Sequence, residues 1–229
     1  MKLNPIASNN SDRSAVVILA LFLSILTVYG QTSGRKSSTA SESSTAAIRS
    51  NDMAAVGRLI PDEGYLIRTY GAANVQSEPV DIGEGEFLQG TVIFPREQAR
   101  RAQILWKNGN RAMPPESILL SGKMSGWTIG RGITLGTTLK ELERLNGGPF
   151  ILTGFGWDYS GTVLSWENGK LEKGFKSKVI LRLAPIERAL KTVSRREAAS
   201  VNGDHHFRSD NKVIQKINPR IYQIIIDLK

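Results

Sequence analysis

The stretch Ile133 to Trp166, ITLGTTLKELERLNGGPFILTGFGWDYSGTVLSW, marks a short helix at both ends, and this constrains the fold more than any other part of the chain. Thr138 followed three residues later by Glu141 predicts a capping box, in which the hydroxyl accepts from the Glu141 backbone N–H and the carboxylate reaches back to the cap. Leu139, Leu142 and Leu145 then recur on one side of the helix, with Lys140, Glu141, Glu143 and Arg144 mostly outward. Asn146, Gly147, Gly148 and Pro149 stop it, because Asn and Gly tolerate a left-handed cap and Pro149 has no N–H to extend the ladder. A helix of about two to three turns is marginal in water on its own, so its leucine face has to be buried on something.

The residues after the stop predict what that is. Phe155, Trp157 and Tyr159 alternate with Gly156, Asp158 and Ser160, a period of two that would set three rings on one face of a strand. Ser160-Gly161 suits a tight turn, Thr162 to Trp166 a returning strand, and Asn168-Gly169 a type I′ turn into a third. The expected class is α+β, with short helices packed on antiparallel sheet and the leucines resting on the aromatic face. The spacing of Ile133, Gly136, Thr138, Leu142, Gly147 and Pro149, followed by Trp157 and Tyr159, resembles the repeat of the outer-membrane assembly lipoproteins of the SmpA/OmlA kind and of the β-lactamase-inhibitor-protein fold. That resemblance spans 34 residues of 229 and implies helices on antiparallel sheet in a protein that makes protein–protein contacts. The chain departs from the lipoproteins in having no cysteine, which excludes lipid anchoring by their route. The wording GFGWDYSGTVLSW also resembles uncharacterised secreted bacterial proteins.

The chain before this stretch reads as a leader and a tether. Lys2 and Arg13 precede an apolar run from Ala15 to Tyr29, which is short of the ~20 residues that span a bilayer. Residues 1–30 are therefore expected to be a signal peptide cleaved after Gly30, with an uncleaved membrane anchor as the alternative, and the mature protein to be periplasmic or extracellular. Residues 31–52 are rich in Ser, Thr and Ala with no apolar period and are expected to be a disordered linker. Without cysteine no disulfide can form, so stability must come from burial.

Residues 53–184 are expected to form one α+β domain, with 185–229 a basic α/β extension packed on it. Val56-Gly57-Arg58 and Gly90-Thr91-Val92 echo Ile129-Gly130-Arg131 and Gly161-Thr162-Val163, the glycines lying 33 residues apart in one case and 31 in the other. Either the domain is a tandem repeat of about 53–122 and 123–184, or common turn residues recur. A helix is expected over about 61–70, strands over 103–106, 117–120, 178–183 and 221–228, a single helix over 186–199, a loop over 201–210, and a short helix over 211–217 stopped by Asn218-Pro219.

The formal charge is +9, and its placement matters more than its size. Residues 31–169 hold 14 basic and 14 acidic side chains, whereas residues 170–229 hold 14 against 6. Arg188, Lys191, Arg195 and Arg196 lie beside a thin apolar stripe of Ile186, Leu190 and Val193, and form either a contact for anionic envelope polymer or a solvated helix face. No nucleic-acid reading motif accompanies them, so no nucleic-acid partner is expected.

Catalytic signatures are absent. The two histidines, His205 and His206, are sequence neighbours that would point to opposite sides of an extended segment, and no G-x-S-x-G surrounds a serine. No catalytic residue, metal site or cofactor is assigned: the pairs Gly83-x-Gly85, Gly130-x-Gly132 and Gly154-x-Gly156 lack the third glycine of a dinucleotide loop, and Asp81, Glu84 and Glu86 lack the ligand ladder of a calcium site. Trp157, Asp158, Tyr159 and Trp166 are the binding candidates, since Trp and Tyr anchor partners and stack sugar rings, although aromatic strand faces also serve as core. The expected function is an exported, non-catalytic binding or scaffolding module of the bacterial cell envelope. Its partner would be a protein or an anionic polymer, and no transmembrane span would remain once the signal is removed. The alternatives are an envelope polysaccharide hydrolase using Asp158 and Glu167, and a secreted inhibitor or adhesin.

Overall fold

The computed structural model describes residues 51–175 and 177–229, so the expected signal peptide and all but the end of the linker lie outside the described residues. Two short helices open the described part of the chain, each started by an aspartate whose side chain takes up otherwise unpaired N–H groups. Asp52 accepts from Ala54 and Ala55 at the start of α1 (Met53–Gly57), and Asp62 from Tyr65 at the start of α2 (Glu63–Tyr70). Four strands follow as a meander: β1 (Val75–Gly83), β2 (Glu86–Ile93), β3 (Ala102–Trp106) and β4 (Pro115–Ser121). The chain then leaves the sheet through α3 (Leu139–Asn146) and a small hairpin, β5 (Ile151–Thr153) and β6 (Val163–Ser165), and returns as β7 (Lys178–Ala184). A last excursion runs through α4 (Glu187–Leu190), α5 (Arg195–Ala199), β8 (His206–Arg208) and α6 (Lys212–Ile217) before β9 (Arg220–Asp227).

The strands form an antiparallel six-stranded sheet in the order β1-β2-β3-β4-β9-β7 and a three-stranded one, β6-β5-β8, so the class is α+β as expected. The closing strand β9, part of the basic 185–229 segment, lies between β4 and β7. Its register puts Ile226 opposite Ile118 and Val179, and Ile224 opposite Leu120 and Leu181, so aliphatic side chains from three strands share one face. Leu139, Leu142, Phe150, Ile214 and Ile217 complete that core, each at most 1% exposed.

Helix α3 has the caps that its sequence predicts. Glu141 N–H donates to Thr138 Oγ1 at 3.2 Å, Thr138 N–H to Glu141 Oε2 at 2.8 Å, and Gly147 takes the left-handed conformation at φ 82°. Its support differs from the expectation. Leu139 N–H donates to Pro219 O at 2.9 Å, Lys140 N–H to Asn218 Oδ1 at 3.2 Å, and the Glu143 carboxylate accepts from Gln215 Nε2 at 2.8 Å and from the Ser209 hydroxyl. The helix is thus fastened to the α6–β9 corner, and its buried Leu139 and Leu142 belong to the core that also holds Phe150 and Trp166.

That aromatic strand does not form. Phe155 makes one parallel bridge to Asn202, and from Gly156, at φ 82°, the chain turns. The alternation of rings with small residues mimics a strand, but it belongs to the connection between β5 and β6. The turn at Asn168-Gly169 likewise leads into further turns up to Gly174, not into a third hairpin strand. The single helix expected over 186–199 is two, because Ser194 forms its own capping box with Glu197 and restarts the helix. The residues that carried the expected duplication occupy different elements. Gly90-Thr91-Val92 lies inside β2, whereas Gly161 ends a turn before β6; Gly57 is in α1, whereas Gly130 is in a turn.

The face of the large sheet opposite the main core carries Val80, Val92 and Leu119, all at most 3% exposed. The β1–β2 hairpin is long enough to curl over it. Its tip, Gly83 to Gly85, lines one cleft with Arg182 of β7 and Tyr222 and Gln223 of β9, although β3 and β4 lie between β2 and β9 in the sheet. Among the described residues no helix is long and apolar enough to cross a membrane.

Candidate functional site

The β5–β6 connection is pinned from several sides. Gly161 N–H donates to Gly154 O at 2.9 Å, the Thr162 and Thr153 hydroxyls donate to Tyr159 O at 2.7 and 3.2 Å, and Leu183 N–H donates to Gly161 O at 3.0 Å, tying the turn to the edge of β7. Gly161 has φ 64°, and a Cβ there would overlap the Leu183 carbonyl, so only glycine allows this approach. Trp157 is fixed in place: its indole N–H donates to Gly154 O at 3.2 Å, and its ring meets Tyr159 edge-on at 5.7 Å. It is 36% exposed, while Trp106, Trp127 and Trp166 are all at most 9% exposed.

Beside this turn the hairpin tip borders an open cleft of about 220 Å³ lined by Asp81, Glu84, Asp158, Arg182, Tyr222 and Gln223. Tyr159 links its two walls. The Glu84 carboxylate beside the Tyr159 hydroxyl, followed by desolvation, raises the tyrosine pKa from its ordinary value of 10.0. The Arg182 guanidinium stacks on the Tyr159 ring at 4.7 Å and donates from Nη1 to Gln223 Oε1 at 2.8 Å. Its Nε is buried without a partner, and Arg182 forms no ion pair among the described residues. The cleft therefore gathers three carboxylates and one cation whose donors are only partly used.

The sequence candidates separate here. Asp158 lines this cleft, Tyr159 meets its lining residues Glu84 and Arg182, and Trp157 lies on Tyr159, whereas Trp166 stacks with Phe150 at 5.2 Å and Phe175 at 6.2 Å inside the core. Asp158 sits in the tip connection of the β5–β6 hairpin, while Glu167 lies past its open end, 3.8 Å from Arg208, so the two carboxylates do not face one another. Arg188, Arg195 and Arg196 are exposed and form no ion pair among the described residues, and Lys191 pairs with Glu187 at 3.0 Å. His205 and His206 are exposed, and no group of three or more His, Asp and Glu side chains able to hold a metal occurs among the described residues. Sequence reasoning missed Arg182, Tyr222 and Gln223, which carry no local signal in strands of ordinary pattern. Asp81 and Glu84 were visible as an acidic cluster, with only the Glu84-Gly85 pair hinting at a hairpin tip. Two larger grooves, of about 440 and 570 Å³, flank the β3–β4 connection, but their charged lining is Lys107 and a Glu116–Lys229 pair that satisfies itself.

Comparison with family models, with curated proteins and with solved structures finds no match to this chain.

Proposed function

We propose that the protein is an exported, non-catalytic binding module of the bacterial cell envelope, whose contact surface is the Trp157 turn and the tip of the β1–β2 hairpin facing it. The rigid exposure of Trp157 carries this reading. A large ring pinned by its own N–H and left open to solvent has already lost the rotamer freedom that binding would otherwise cost, and such rings dominate contact energies. Phe87 and Leu88, 60% and 51% exposed, follow the hairpin tip in β2 and point to opposite faces of the strand. The resemblance of the central stretch to the SmpA/OmlA and β-lactamase-inhibitor-protein repeats supports a protein-contact role, and the charged, apolar leader supports export. The hydrolase reading loses its pair, since Asp158 and Glu167 sit at opposite ends of a hairpin.

The test is capture from envelope extract by the full chain and by Trp157→Ala, with thermal melting to show that the variant is folded. One stoichiometric partner lost in the folded variant supports the proposal. Capture that ignores Trp157, or polysaccharide turnover abolished by Asp158→Asn, contradicts it. A second reading rests on the unpaired arginines 188, 195 and 196: binding to an anionic polymer that weakens steeply with salt and disappears when all three are replaced by alanine.

A further inference from the structure

We infer that Pro79 closes the outer edge of the large sheet to a second copy of this chain, and that without it β1 pairs with β1 of another molecule about a twofold axis. A free sheet edge is a row of unpaired N–H and C=O groups, to which a strand with a matching row can add. The two edges of the six-stranded sheet are treated differently. β7 is covered where Leu183 N–H donates to Gly161 O at 3.0 Å and Thr162 bridges to Arg182. β1, nine residues long, pairs with β2 on one side, and among the described residues no strand or bridge pairs with its other side.

Backbone parity fixes what that side presents. Phe94 N–H donates to Asn74 O at 2.8 Å, and the register then runs without a shift from Val75 opposite Ile93 to Asp81 opposite Phe87. Backbone groups alternate in direction along a strand, so Gln76, Glu78 and Val80 turn theirs to β2, whereas Val75, Ser77, Pro79 and Asp81 turn theirs outward. The Val75 N–H is taken up locally by Ala72 O. Ser77 and Asp81 keep outward N–H groups, and between them Pro79 has none and sets its exposed ring in the path of an incoming strand.

The rest of β1 suits pairing with itself, which is why the excluded partner is a second copy. A twofold axis at residue 79 places Ser77 opposite Asp81 and Glu78 opposite Val80 of the other molecule, so no like charges meet directly. Glu78 is already paired with Arg101 at 2.8 Å. The matching rows of donors and acceptors are thus broken at their centre, by the proline.

The experiment measures self-association of the full chain by sedimentation velocity, with amide hydrogen exchange in parallel, for wild type, Pro79→Thr, Pro79→Ala and the double variant Pro79→Thr/Ser77→Pro. In wild type the Ser77 and Asp81 amides should exchange fast and those of Gln76, Glu78 and Val80 slowly. Pro79→Thr restores the central donor and removes the ring, so it should self-associate at least about tenfold more tightly than wild type, with Ser77 and Asp81 protected in the associated form. Pro79→Ala should move in the same direction, and serves where threonine disturbs folding. The double variant puts a ring back on the same edge and should return to the wild-type level. The amide readout separates pairing through β1 from association through any other part of the chain. Protected Ser77 and Asp81 amides in wild type, proline-free variants that associate no more tightly than wild type, association that leaves those two amides exchanging fast, or a double variant as associated as Pro79→Thr overturns the inference.

Discussion

Asn146 offers a prediction whose sign separates the structure from a local reading of the same residue. In the sequence it looks like a helix-stopping asparagine next to glycine, and at a solvated helix end Asn→Ala raises helix propensity by roughly half a kcal/mol. In the structure the side chain is 1% exposed and joins three segments. Its Nδ2 donates to Gly148 O at 3.1 Å and Trp166 O at 3.0 Å, and its Oδ1 accepts from Leu171 N–H at 3.2 Å. Asn146→Ala would leave a buried carbonyl and a buried N–H unpaired, at about 1–3 kcal/mol each. With part of that recovered by water or relaxation, the net loss should be about 2–4 kcal/mol. For a domain of this size, with a urea slope of about 2 kcal/mol/M, the unfolding midpoint should fall by about 1–2 M. Gly169 gives a second route to the same site, because a Cβ there would overlap the Asn146 amide. Gly169→Ala should therefore lower the midpoint as well. Urea titration followed by far-UV circular dichroism measures both; an Asn146→Ala midpoint equal to or above wild type would refute the reasoning.

Three further predictions test other parts of the account. Gly161→Ala combines a φ of 64° with an overlap on the Leu183 carbonyl, and should cost about 2 kcal/mol or more by thermal melting while freeing the Leu183 amide to exchange. Glu141 has its pKa lowered from 4.5, first by the Thr138 backbone N–H and then by its hydroxyl. A depressed carboxylate adds stability above the unfolded pKa and loses it as pH falls through the folded one, so Glu141→Gln should flatten the decline in stability below about pH 4.5. Glu84→Gln removes the carboxylate that raises Tyr159, so that tyrosine should titrate closer to 10.0; the difference spectrum against Tyr159→Phe isolates it among the five tyrosines, and an unchanged value would mean that the hairpin tip does not meet the turn.

What the chain disclosed in advance was local, and what it concealed was long-range. The ends of α3 were readable because the Thr138–Glu141 box and the Gly147 cap are made within a few residues. The strands over 178–184 and 220–227 were readable from their aliphatic pattern, but not their adjacency or their place beside β4, which depends on partners about 40 to 110 residues away. Strand β8 went unread because His206–Arg208 has polar neighbours and becomes a strand only by pairing with β5. The break at Ser194 is legible in the sequence, since Ser194 and Glu197 have the same spacing as the box that opens α3. The aromatic alternation misled because period two is necessary for a half-buried strand but not sufficient, and a glycine at φ 82° inside it ends the extended run. Half of the site followed from Trp157, Asp158 and Tyr159; Arg182 and Gln223 become neighbours only once β7 and β9 pair, where they lie opposite one another.

The most direct test of the account is to label the full chain with ¹⁵N and titrate it with the material that it captures from envelope extract, following the indole resonances of its four tryptophans. The account predicts that the Trp157 indole and the amides of Asp81 to Gly85 shift together, while Trp106, Trp127 and Trp166 stay in place. A silent Trp157, with shifts confined to the Arg188–Arg196 amides, would contradict it.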